Sequence, residues 1–142
     1  MSKTEKGFSL LELLIVVGII LIVAAIAIPS LLHSRQVANE SAAVADLRLI
    51  NTAEITYVTT SGGYFGNITQ LISEGLLESR FSGRMSSYNF SISTNGLDYT
   101  ATADPVANTQ ARYGYYSTPE AVIRYSTSMT LAPSGQAGNP VH

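Results

Sequence analysis

An apolar run from Gly7 to Pro29, GFSLLELLIVVGIILIVAAIAIP, holds a single ionisable residue, Glu12, near its start. From Leu13 to Ile28 there is no charge, and a helix rising about 1.5 Å per residue covers roughly 24 Å over that stretch. With Phe8 to Leu11 added, the run is long enough to cross a hydrocarbon core. A charged side chain inside a bilayer costs about 2.5 to 3.5 kcal/mol on insertion scales, so Glu12 calls for a positive partner.

No basic side chain within the run supplies one, because Lys6 precedes Phe8 and Arg35 lies well beyond Pro29. A cut between Gly7 and Phe8 would create an α-amine, cationic with a reference pKa of about 7.7 to 8.0, near the depth of Glu12. An ordinary secretory signal has a shorter apolar core followed by a small-residue cleavage site, which Ala24, Ala25 and Ala27 imitate. The acid inside the run and the small residue before it argue against that alternative. A plain membrane anchor accounts for the length and leaves Glu12 unexplained.

The Gly7-Phe8 junction, Ser9, Glu12 in the fifth place after the junction and the closing AAIAIP resemble the class III signal of type IV prepilins and pseudopilins. The resemblance implies that a prepilin peptidase removes Met1 to Gly7 and methylates the Phe8 amine. It also implies an inner-membrane assembly platform as partner, and pairing of Glu12 with the Phe8 amine of a neighbouring copy during polymerisation. Family helices often carry a loosening glycine at the place of Leu21; here Gly18 stands one turn earlier. Gly18 and Pro29 are thus the candidate flexible points, with close packing between helices the alternative role for Gly18.

The chain has 142 residues and a formal net charge of -2. Loss of Lys3, Glu5 and Lys6 with the leader makes the remainder one unit more negative. Lys3 and Lys6 keep the amino-terminal side cytoplasmic by the positive-inside tendency, so the head faces the periplasm or exterior. There is no cysteine, so the head has no disulfide, unlike many type IV pilins, and neither thiol catalysis nor Cys-ligated zinc is available.

The predicted architecture is α+β and pilin-like. A leader at 1–7 is followed by a transmembrane and assembly helix at 8–29, projecting from the head. An amphipathic continuation at 30–60 presents Leu31, Val37, Val44, Leu47, Ile50 and Val58, with Arg35, Glu40, Asp46, Arg48 and Glu54 between them. A head at 61–127 begins with a short helix over Asn67 to Leu77, weakened by Gly75. About four antiparallel strands follow: Ser87 onward, a turn at Thr94-Asn95-Gly96, Leu97 to Ala103, then Tyr113–Ser117 and Ala121–Ser126. One sheet face is expected on the helix and one in solvent, and a mobile tail covers 128–142.

Residues for catalysis are not evident: His33 and His142 are far apart in sequence, and Asp98, Asp104 and Glu120 form no compact calcium loop. No cofactor, metal site or enzymatic activity is expected. Arg80, Arg84, Arg112 and Arg124 with Tyr88, Tyr113, Tyr115 and Tyr116 resemble the ingredients of a single-strand nucleic-acid surface, but acidic charge and scattered arginines favour ordinary strand tyrosines. Asn67-Ile68-Thr69 is a short glycosylation match that an N-cap explains equally well. The expected role is a structural subunit of a type IV pilus or pilus-like filament. It would begin as a single-pass inner-membrane precursor in contact with lipid, and then assemble with copies of itself through amino-terminal helices. The alternatives are a type II secretion pseudopilin in the periplasm and a minor pilin whose head binds DNA or a surface.

Overall fold

Helix α1 runs without interruption over Leu10–Thr60. The computed structural model describes residues 7–126 and 137–141, so leader residues 1–6 lie outside the described part. The chain divides into two units, Met1–Ser34 and Arg35–His142. In the first, α1 buries no side chain, and Phe8, Leu10 and Ile26 are 86%, 83% and 74% exposed. Pro29 lies inside the helix. Its missing N–H withdraws one backbone hydrogen bond, yet the helical backbone continues through it.

In the second unit, α1 buries a stripe at alternating steps of three and four: Glu40, Ala43, Leu47, Ile50 and Glu54. That spacing keeps one face of a helix on the sheet. It also revises the expected pattern, because Glu40, Asp46 and Glu54 are buried while Leu31 and Val37 are exposed. The charged residues set between apolar positions belong in part to the core face.

Past α1, Asn67 caps α2, Ile68–Ser73, through a reciprocal capping box with Gln70. Here the structure shortens the expected helix, and Gly75 is the reason. With φ +71 it is the left-handed residue that ends α2, the Leu76 N–H reaching the Leu71 carbonyl and the Gly75 N–H that of Ile72. A single 3-10 turn at Ser79–Ser82 then buries Phe81.

Among the described residues six strands, rather than about four, form one antiparallel meander in chain order. They are β1 Arg84–Met85, β2 Tyr88–Thr94, β3 Tyr99–Pro105, β4 Gly114–Ser117, β5 Arg124–Ser126 and β6 Asn139–Pro140. The strand expected from Ser87 starts one residue later, since Ser86 and Ser87 both take positive φ and form a two-residue turn between Met85 and Tyr88. The expected β2–β3 hairpin forms, but its second strand starts at Tyr99 and not at Leu97, because Asn95–Asp98 make the turn and Thr94 pairs with Tyr99. β5 is shorter than Ala121–Ser126 because Ala121 has φ +58 and its N–H closes a turn onto the Thr118 carbonyl.

The core joins Ala43, Leu47, Ile50 and Ala53 of α1 to Leu71, Leu77, Phe81, Tyr88, Phe90, Tyr99, Tyr115 and Ile123. Along β2, burial alternates as half-covered strands do. All four residues of β4 are buried, so the expectation of one solvated face fails there. Tyr116, on the outer side, is 1% exposed and donates its hydroxyl to the Ala137 carbonyl at 2.9 Å. The tail expected to be mobile over 128–142 includes β6, which pairs with β5; its residues 128–136 and 142 lie outside the described part.

Candidate functional site: the amino-terminal helix start

Gly7, Phe8 and Ser9 precede the helix, and Ser9 caps it. The Leu13 N–H donates to the Ser9 carbonyl at 3.2 Å, and the Leu11 N–H to Ser9 Oγ at 3.3 Å. Glu12 closes the arrangement from the other side, its Oε2 accepting the Ser9 N–H at 3.0 Å. Ser9-Leu10-Leu11-Glu12 is therefore a variant of the capping box, the Ser9 hydroxyl taking the Leu11 N–H in place of that of Glu12 while Glu12 reaches back to the Ser9 N–H. The S-x-x-E spacing was visible in the sequence, and the sequence reading did not use it for Ser9.

This geometry gives Glu12 two local supports, the Ser9 N–H and the positive end of the helix dipole. Oε1 accepts no hydrogen bond among the described residues, so the carboxylate keeps a free oxygen. Around it the helix is apolar on every side, and it is long and apolar enough to cross a membrane. A Cβ built at Gly18 would meet nothing within 4 Å, and beyond Pro29 the Ser34 hydroxyl donates back to the Ser30 carbonyl at 2.9 Å. The site offers one acidic acceptor at the end of an exposed apolar rod.

In the head, several polar side chains hold the fold together. Glu40 grips Arg112 with both oxygens: Oε1 accepts from the Arg112 N–H and Nε at 2.9 Å each, and Oε2 from Nη2 at 2.7 Å. This fork ties the segment before β4 to α1, and the Glu40 hydrogen bond holds Arg112 above its usual pKa. The Tyr99 hydroxyl donates to Asn51 Oδ1 at 2.9 Å. Among the described residues no three metal-ligating side chains converge.

Three of the tyrosines named for a nucleic-acid surface have no face free for stacking. Tyr88, Tyr115 and Tyr116 are buried at 0%, 5% and 1% exposure, while Arg112 is committed to Glu40 and Arg80 to Glu78 at 3.0 Å.

Residues 2–28 match the family model of the prokaryotic N-terminal methylation motif. That motif opens a long helix whose later part packs on an antiparallel sheet, an α+β, pilin-like fold. Among characterised relatives, the type IV wide pilus major component PilA4 of Thermus thermophilus is 42% identical over 74 residues. The match covers 52% of this chain and 56% of that protein, so the chain spans little more than half the length of the relative it matches. No solved structure matches.

Proposed function

We propose that this chain is a structural subunit of a type IV pilus or pilus-like filament. It is held as a single-pass membrane precursor with its head outside the cytoplasm until the leader is removed between Gly7 and Phe8. Methylated Phe8 then becomes the new amino terminus, and the subunit polymerises through residues 8–29 with the help of a membrane assembly platform. The observation that carries this reading is a helix with no buried side chain before Ser34, bearing one carboxylate at its start. An exposed apolar surface of that length needs lipid or copies of itself to cover it.

Glu12 supplies direction to the packing. Its free oxygen meets the Phe8 amine of a neighbouring copy, so the acid neutralises a positive end that exists only after processing. In that setting Gly18 and Pro29 are the places where the helix yields as copies pack. The matched relative is a major pilus component, which supports an abundant filament subunit over a pseudopilin or a minor pilin.

The test is Glu12→Ala. Membrane insertion and leader removal are expected to persist while sheared filament yield drops at least tenfold. Filaments at normal yield from this variant would rule out the pairing.

A further inference from the structure

Leu97 stands 77% exposed at the β2–β3 turn, on a backbone that is firmly braced. Asn95 Oδ1 accepts the Leu97 and Asp98 N–H groups at 3.0 and 2.8 Å. The Thr94 hydroxyl donates to the Asp98 carbonyl and accepts the Gly96 N–H, both at 2.9 Å. The Tyr64 ring packs against Gly96, 3.2 Å from where a Cβ would stand. An apolar side chain is thus fixed in water on a rigid tip, and a preorganised tip loses little further entropy when it docks.

At the other end of the head a groove of about 430 Å³ opens between α1, β4 and Val141, the residue after β6. Val37, Val44, Ala45, Tyr115 and Val141 give it apolar walls, and Arg48 stands at its side. Arg48 is exposed and has no ion pair among the described residues. Glu40, on the groove wall, is already taken by Arg112. The groove therefore asks for an apolar knob with an acid beside it.

Leu97 and Asp98 are such a pair. Asp98 Oδ1 accepts the Tyr99 N–H at 2.8 Å, and Oδ2 is left for a cation. The turn lies past the level of Asn51 and Glu54, whereas the groove follows Val37 to Arg48. At 1.5 Å per residue the middle of the groove, near Ala43, lies about 16 Å short of Glu54 along α1, so no copy seats Leu97 in its own groove.

We propose that Leu97 of one copy seats in the groove of the next, with Asp98 facing Arg48. The occupant is a second copy of this chain. A contact between two different patches is heterologous and propagates rather than closing, so the heads contribute an axial joint in addition to that of the apolar helices. The inference rests on the filament reading above, and the two fail differently.

Because the chain lacks cysteine, a cross-link can be placed without background. Full-length protein carrying Leu97→Cys and Ala45→Cys is assembled into filaments, oxidised mildly and run without reductant. A docked pair brings the two Cβ atoms into the 3.5 to 4.5 Å range of a disulfide, approximately. The expected result is a ladder of covalent multimers from the pair, and none from either single cysteine or from Leu97→Cys with Leu49→Cys. Intact filaments that release unlinked monomers overturn the joint, as does a dimer band with nothing above it or a link to a different protein. Arg48→Asp and Asp98→Arg are each expected to lower filament yield several-fold and the double swap to restore it; a double no better than the singles also overturns the joint, and this readout decides the matter should the cysteine pair block assembly. Loss of all filaments on Glu12→Ala bears on the helix mechanism alone.

Discussion

Glu54 shows at the level of one residue how a helix face acquires an unexpected charge. It has no exposed surface; Oε2 accepts the Gly66 N–H at 3.0 Å and Oε1 has no partner. Burial pushes its carboxyl above the usual range, partly offset by the Gly66 bond. The folded chain therefore binds this proton more tightly than the unfolded chain does. The resulting stabilisation is complete below the unfolded value near 4.5 and is lost as pH rises through the raised folded value. Across that window, thermal denaturation of the detergent-solubilised chain should show Glu54→Gln losing less stability than the wild type. Parallel curves for the two proteins would mean that Glu54 is not buried in this way. The sequence reading could place Glu54, Glu40 and Asp46 on α1, but whether such an acid meets water or the sheet depends on residues such as Gly66 and Arg112, which lie far off in sequence.

Helix α1 carries two apolar patterns along one element. Before Ser34 it is apolar on every side, the pattern of a helix meant for lipid or for other copies. After Arg35 only a stripe is buried, and neighbouring leucines fall on opposite sides of that division: Leu47 is 0% exposed and Leu49 is 48% exposed. Leu47→Ala should destabilise the head by about 2 to 5 kcal/mol through lost packing and a residual cavity. Leu49→Ala should stay within about 0.5 kcal/mol. Chemical denaturation of the two variants side by side checks the pair, and similar losses would show that the stripe has been assigned to the wrong face. The continuous apolar run and the hairpin turn were legible in advance because they depend on local composition. The short strands β1 and β6 were not, since two residues carry too little pattern to register and exist as strands only because β2 and β5 offer them partners.

For the molecule as a whole, most of the exposed large apolar side chains among the described residues lie between Phe8 and Leu32. Apolar cover is worth roughly 25 cal/mol per Å² relative to water, and on the proposed route lipid would supply it to the precursor and neighbouring helices to the filament. On the proposed pairing, the order of events depends on processing, because the positive end that Glu12 would meet is made by the cut. Gly7→Leu should leave a membrane-bound precursor retaining residues 1–7, and intact-mass measurement distinguishes it from a chain beginning at Phe8. A mature mass from this variant would place the cut elsewhere. With no cysteine to staple it, the head relies on the Glu40–Arg112 fork and on the pairing of β6 with β5.

The sequence by itself determined the membrane-length helix, the acid at a set distance from a small-residue junction, and an α+β head with its main hairpin. These are properties of contiguous residues, and hydrophobic length and turn chemistry are read locally. Only the tertiary structure decided which acids on α1 are buried, that Gly75 ends a helix instead of weakening one, and that the outer face of β4 is covered near Ala137. Each of those depends on groups brought together from distant parts of the chain, where burial and hydrogen-bond partners are set by packing and not by neighbours in sequence.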